Sequence, residues 1–162
     1  MFKLKIKSNS AFKDKRGLYW TSWEKKYDKI NYNHDKFSLS KKNVLRGLHG
    51  DKKTWKLVSC VYGEVFLAVI NFNKNSKFYL KKKYFKLSHK NRMQVLIPPN
   101  YLNGYLCLTK ECVFHYKLSY NGKYVDKNDQ FSIRWNDPKI NINWPVKKPI
   151  LSLRDKKSKF LI

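Results

Sequence analysis

Acidic residues are scarce in this sequence. Asp and Glu number 11 against 36 Lys and Arg, a formal charge of +25. Such an excess raises the idea of a nucleic-acid surface, because basic side chains that neutralise phosphates drive non-specific binding. AT-rich coding explains it as well, since Lys, Asn, Ile, Tyr and Phe are all abundant and Lys far outnumbers Arg. The lysines are spread over the whole length, and a small phosphate-bearing substrate uses that charge with fewer assumptions. No nucleic-acid partner is expected. Long apolar runs are also missing: the longest, Val65 to Ile70, is far too short to span a bilayer, so no membrane partner is expected. The charged opening Met1 to Ser10 has no apolar signal-peptide core, and the reading is a cytoplasmic protein. Cysteine is limited to Cys60, Cys107 and Cys112, an odd number without CxxC spacing, which argues against a disulfide framework or a zinc site. A serine nucleophile elbow, a phosphate-binding glycine loop, a dinucleotide fingerprint and the paired histidines of a metal cupin are absent too.

What is present is strand-like. Trp55–Tyr62, a turn at Gly63-Glu64, and Val65–Phe72 read as a hairpin rich in β-branched and aromatic residues. Lys77–Leu87 is a further strand candidate, and the strand that starts at Met93 must end at the Pro98-Pro99 pair. Tyr105–Thr109 and Cys112–Ser119 suggest a second hairpin, and Phe131–Trp135 a shorter piece. A turn of helix fits only Ser22–Ile30. Many short strands with turn signals about every ten residues predict an all-β barrel or sandwich in one domain over 1–162.

Four clusters carry chemistry. Arg46-Gly47-Leu48-His49 places a guanidinium and an imidazole together before the first strong strand, where a base and a phosphate clamp would be wanted. Lys56 sits among apolar neighbours, and a lysine turned into a barrel would be costly without a purpose, although alternation alone also allows it to point outward. In Phe114-His115-Tyr116-Lys117 the alternation can turn Tyr116 inward, where a phenol donates a proton. Ser152-Leu153-Arg154-Asp155 sets a carboxylate beside basic residues in a segment, 147–162, that otherwise reads as a polar tail.

Taken in order, these residues resemble the dTDP-4-dehydrorhamnose 3,5-epimerase family. The resemblance runs from Phe12 to Asp155 through Phe12–Gly17, Asn43–His49, Lys56–Val58, Tyr62–Phe66, Ile97-Pro98, Tyr116-Lys117, Ile133–Pro138, Ile142–Pro145 and Leu151–Asp155. It implies a cupin-type jelly-roll β-barrel, a homodimer whose N-terminal strands reach into the partner, and a segment 147–162 that closes the active site. His49 would be the general base, Asp155 its orienting carboxylate, Lys56 the cation near the C4 carbonyl oxygen, and Tyr116 the acid on the opposite sugar face. Arg46 and Arg16 would hold the diphosphate, Arg16 from the neighbouring subunit. The substrate would be a GDP- or dTDP-linked 4-keto-6-deoxy sugar, with no metal or nicotinamide cofactor.

The departures from the family fall on substrate contacts. Asn103 stands where a second histidine is usual, and it can hydrogen-bond but not act as acid or base at neutral pH. The usual Gln-x-Asn-x-Ser-x-Ser segment appears as His34–Ser40, with Lys36 and Ser38 as candidate substrate contacts. Leu67 follows Phe66 where the family commonly has Asp close by, and Thr21 replaces Glu. The blocks Arg46–Asp51 and Pro98-Pro99-Asn100 look like the branch acting on GDP-linked 4-keto-6-deoxy heptoses in capsule synthesis. Two other readings stay open at this point: a 3,4-ketoisomerase, and a non-catalytic sugar-nucleotide or nucleic-acid binding barrel.

Overall fold

The computed structural model describes residues 4–161. Among the described residues, ten strands form two five-stranded sheets. The first sheet runs β1 (Lys5–Ser8), β9 (Met93–Ile97), β6 (Trp55–Tyr62), β11 (Glu111–Ser119), β4 (His34–Lys41). The second runs β12 (Phe131–Ser132), β5 (Leu45–Gly50), β10 (Tyr101–Cys107), β7 (Glu64–Asn71), β8 (Lys82–Ser88). Neighbours within each sheet are antiparallel. A separate hairpin pairs β2 (Phe12–Asp14) with β3 (Gly17–Tyr19), and one short helix, α1 (Leu153–Lys157), lies near the C-terminus. The fold is the all-β, cupin-type jelly roll that the resemblance implied.

Strand alternation explains where the core sits. On β7, Val65, Leu67 and Val69 face the first sheet and pack with Val58, Val95, Ile97 and Phe114. Ala68 and Ile70, on the other side of β7, join Leu45, Leu102 and Leu106 in a second apolar layer. That layer is covered by Ile140, Ile142 and Trp144. A strand apolar on both faces belongs at the centre of a layered structure, and each such side chain contributes about 1.5–3 kcal/mol by leaving water. On the outer face of the first sheet, Trp23 and Tyr27 share a crevice with Leu57 and Leu96.

Both expected hairpins are corrected. β6 pairs with β9 and β11, whereas β7 pairs with β10 and β8, so the turn at Gly63 is a corner between sheets. The link from β10 to β11 crosses in the same way. Gly63 is required at its corner: φ is 72°, and a Cβ there would lie 2.2 Å from the Glu111 carbonyl oxygen. Short-range pattern marks a strand and a turn, but the choice of partner is made by burial on both faces. The strand expected over 77–87 begins only at Lys82, after a turn around Ser76–Leu80. The helical turn within 22–30 is a 3-10 turn at Lys25–Tyr27, and β9 stops at Ile97 before the proline pair. Among the described residues no helix is long and apolar enough to cross a membrane.

Candidate active site

One end of the space between the sheets is an open cavity of about 520 Å³. Its walls carry Arg46 and His49 from β5, Asn103 from β10, Lys56 from β6, Tyr116 from β11, and Lys36 and Ser38 from β4. His49 therefore comes from the second sheet, and Lys56 and Tyr116 come from the first.

A local irregularity makes this set possible. Arg46 and His49 are three residues apart, and a regular strand would turn them to opposite faces. Against β10, however, Arg46 pairs with Tyr105 and His49 with Asn103, three steps on β5 against two on β10. This extra residue is a β-bulge, and it brings both side chains to the cavity. Gly47 permits it with φ at 131°, and a Cβ there would come within 2.5 Å of the Gly104 Cα.

His49 Nε2 lies 2.7 Å from Asp155 Oδ1. An ionised carboxylate only accepts, so Nε2 carries the proton and Nδ1 keeps a lone pair for base chemistry. Asp155 is 2% exposed and is itself fixed. The Ser152 hydroxyl donates to its Oδ2 at 2.9 Å and, as the N-cap of α1, accepts from the Asp155 amide at 3.1 Å. The C-terminal segment thus delivers the carboxylate to the imidazole, anchored by bridges from Val44 to Ile150 and from Ile133 to Lys159.

Lys56 is buried and points inward. Its ammonium donates to Asn103 Oδ1 at 3.3 Å and lies 3.7 Å from Asp51 Oδ2. Burial pulls its pKa below the ordinary lysine value, Asp51 opposes that pull, and Arg154 adds to it. Tyr116 packs edge-on against Phe114 at 4.8 Å. Burial raises its pKa well above that of a free phenol, reinforced by Tyr105 and opposed by Arg46 and the Asn103 side chain. The phenol accordingly stays protonated and available as an acid. Asn103 touches both Lys56 and Tyr116, and so ties the two sheets together at the cavity floor.

The remaining expected contacts divide. Arg46 Nε donates to Ser40 Oγ at 3.1 Å, bracing the guanidinium at the rim. The Ser38 hydroxyl lies 2.7 Å from the Tyr105 hydroxyl, and the Lys36 ammonium donates to the Tyr124 hydroxyl at 3.3 Å. Arg16 stands apart: its guanidinium is 79% exposed on the β2–β3 hairpin, paired with Asp14 at 2.6 Å, and does not line this chain's cavity. Sequence reasoning missed Tyr124 and Gln130, which come from a stretch without periodicity. It also gave no role to Arg154, which lines the cavity held by Ser132 and Gln130. The adjacency of Arg154 to Asp155 was the available signal.

The chain is similar to known proteins over nearly its whole length. The family model for dTDP-4-dehydrorhamnose 3,5-epimerase matches residues 3–162. The dTDP-4-dehydrorhamnose 3,5-epimerase of Shigella flexneri is 36% identical over 90% of this chain and 83% of its own length. A dTDP-6-deoxy-D-glucose-3,5-epimerase from Legionella pneumophila, solved with dTDP-4-keto-L-rhamnose, superposes with a TM-score of 0.90 at 31% identity, covering 97% of this chain and 87% of that one. A dTDP-4-dehydrorhamnose 3,5-epimerase from Bacillus anthracis, with TDP and PPi bound, gives 0.91 at 27% identity, covering 98% and 94%.

Proposed function

This chain belongs to the dTDP-4-dehydrorhamnose 3,5-epimerase family, and we propose that His49, Lys56 and Tyr116 carry out its epimerisation of a nucleotide-linked 4-keto-6-deoxy sugar. A ketone at C4 acidifies the C–H bonds at C3 and C5. His49 Nδ1 removes one of these protons, and the electron pair moves through the carbonyl to leave an enolate on O4. The Lys56 ammonium stabilises that charge, as an oxyanion site does, and Asp155 stabilises the imidazolium. Tyr116 then returns a proton to carbon from the other face; the phenolate recovers one from solvent and His49 releases to solvent the one it took. The observation that carries the reading is that base and phenol come from facing sheets, so a sugar ring held between them meets one on each side.

Arg46 holds the diphosphate at the rim, with Asn103, Lys36 and Ser38 as further substrate contacts. The assembly is a homodimer. The β2–β3 hairpin supports this, because Phe12, Leu18 and Tyr19 are exposed on it and Arg16 extends beyond its own chain's cavity. Arg16 then reaches the diphosphate in the partner's site. Three free, buried thiols fit a cytoplasmic setting.

The test is NMR in D₂O with dTDP-4-keto-6-deoxyglucose and GDP-4-keto-6-deoxy-heptose, each generated in situ. Deuterium at C3, C5 or both, with the ketone still at C4, supports the epimerase and identifies the nucleotide. A ketone moved to C3 marks a ketoisomerase, and no exchange with either substrate overturns the reading. Light scattering should give the mass of two chains, and Arg16→Ala should raise KM more than it lowers kcat.

A further inference from the structure

We propose that Asp51 is a positioning residue of this site, the counter-ion that keeps Lys56 charged and aimed into the cavity. This rests on the role given to Lys56 above. Asp51 lies in the loop between β5 and β6 and is 2% exposed. Its two carboxylate oxygens do different work. Oδ1 accepts from the backbone amides of Lys53 at 2.9 Å and Thr54 at 2.6 Å, which shapes the turn into β6. Oδ2 is buried without a hydrogen bond and lies 3.7 Å from the Lys56 ammonium. A turn needs only the first oxygen, and a neutral acceptor would serve there. A buried carboxylate with its second oxygen free of hydrogen bonds costs stability unless a cation faces it.

The surroundings of Lys56 leave that task to Asp51. From β10 the ammonium meets Asn103, which is neutral, and from β11 the same cavity is lined by Tyr116, held protonated. His49 on β5 has its own carboxylate, Asp155 on α1, at 2.7 Å. Arg154 on α1 is a second cation and disfavours charge on Lys56. Among the described residues, Asp51 is the carboxylate that forms an ion pair with Lys56. Without it, burial and Arg154 would both drive Lys56 toward the neutral amine, which stabilises an enolate poorly.

The experiment is Asp51→Asn, which keeps an oxygen for the Lys53 and Thr54 amides and removes only the charge. In protein labelled with ¹³C at lysine Cε, with the Lys56 resonance assigned by its loss in Lys56→Met, the Lys56 titration should fall by about 1–3 pH units. The alkaline limb of the epimerisation rate should move down with it, and Asp51→Glu should restore both. A merely structural role would lower the rate evenly at all pH and leave the titration in place. An unmoved Lys56 resonance in folded Asp51→Asn overturns the proposal. The titration needs no substrate, so a fallen midpoint in a protein that turns over no keto sugar would sustain the ion pair and sink the epimerase reading instead.

Discussion

Along β6 the inward side chains run Lys56, Val58, Cys60; along β10, Asn103, Tyr105, Cys107; along β11, Tyr116, Phe114, Cys112. At one end these strands supply a cation, an amide and a phenol to an open cavity. At the other they supply three thiols to a sealed core, each 2% exposed or less. The boundary is the stack of Tyr105 on Phe114, 4.2 Å apart across the two sheets. Tyr105 turns its hydroxyl to Ser38 and Ser40 and its ring to the core, so it serves both sides. A period of two decides which residues face inward, and distance along the strand decides whether they meet water or hydrocarbon. The polar end is costly to fold and carries the proposed chemistry, while the apolar end stabilises both.

Substitutions at the two ends should therefore separate rate from stability. The largest effect is expected for His49→Asn, which should lower epimerisation about 10³-fold and abolish solvent deuterium uptake. Its urea midpoint should stay near that of the native protein, because the change lies outside both apolar layers. An unfolded His49→Asn would break the division between the ends. Tyr116→Phe comes next and sharpens the picture within the polar end. It keeps the ring on Phe114 and removes the acid, so inversion should fall by about 10²-fold. Deuterium should still wash in, because His49 can exchange the proton it took for a solvent deuteron and return that to the same face. Equal loss of exchange and inversion would remove Tyr116 from the role of second-face acid.

Much of this contrast was legible in the residues. Alternation allows Tyr116 and Lys56 to face inward, and the resemblance gives Asp155 its role in a segment that otherwise reads as a polar tail. The joint placement of Arg46 and His49 was not readable from alternation, since three residues apart means opposite faces. An isolated glycine inside a strand is the signature of the bulge that reconciles them, and Gly47 is that glycine. The two corner turns were read as hairpins because a local pattern holds no information on which sheet the next strand joins. Asp51 was noted only as part of a motif, because an acid before a strand looks like a turn residue until its second oxygen is seen to face Lys56.

At the sealed end the expected pattern reverses. Leu67→Ala should cost about 2–5 kcal/mol in urea unfolding and leave kcat unchanged in protein that remains folded. The thiols then give the smallest effect, and a means of joining both ends in one measurement. Burial pushes the Cys60 thiol up to about 12 and raises Cys112 as well. At pH 8 the native protein should react with a thiol reagent at Cys60, Cys107 and Cys112 only when it opens. Labelling of Leu67→Ala should be faster by the factor its lost stability dictates, roughly 30-fold for 2 kcal/mol. Labelling of His49→Asn should match the native rate, since nothing at the polar end seals the thiols. If both variants accelerated labelling equally, the interior would be one cooperative compartment, and the polar end would share in holding the fold.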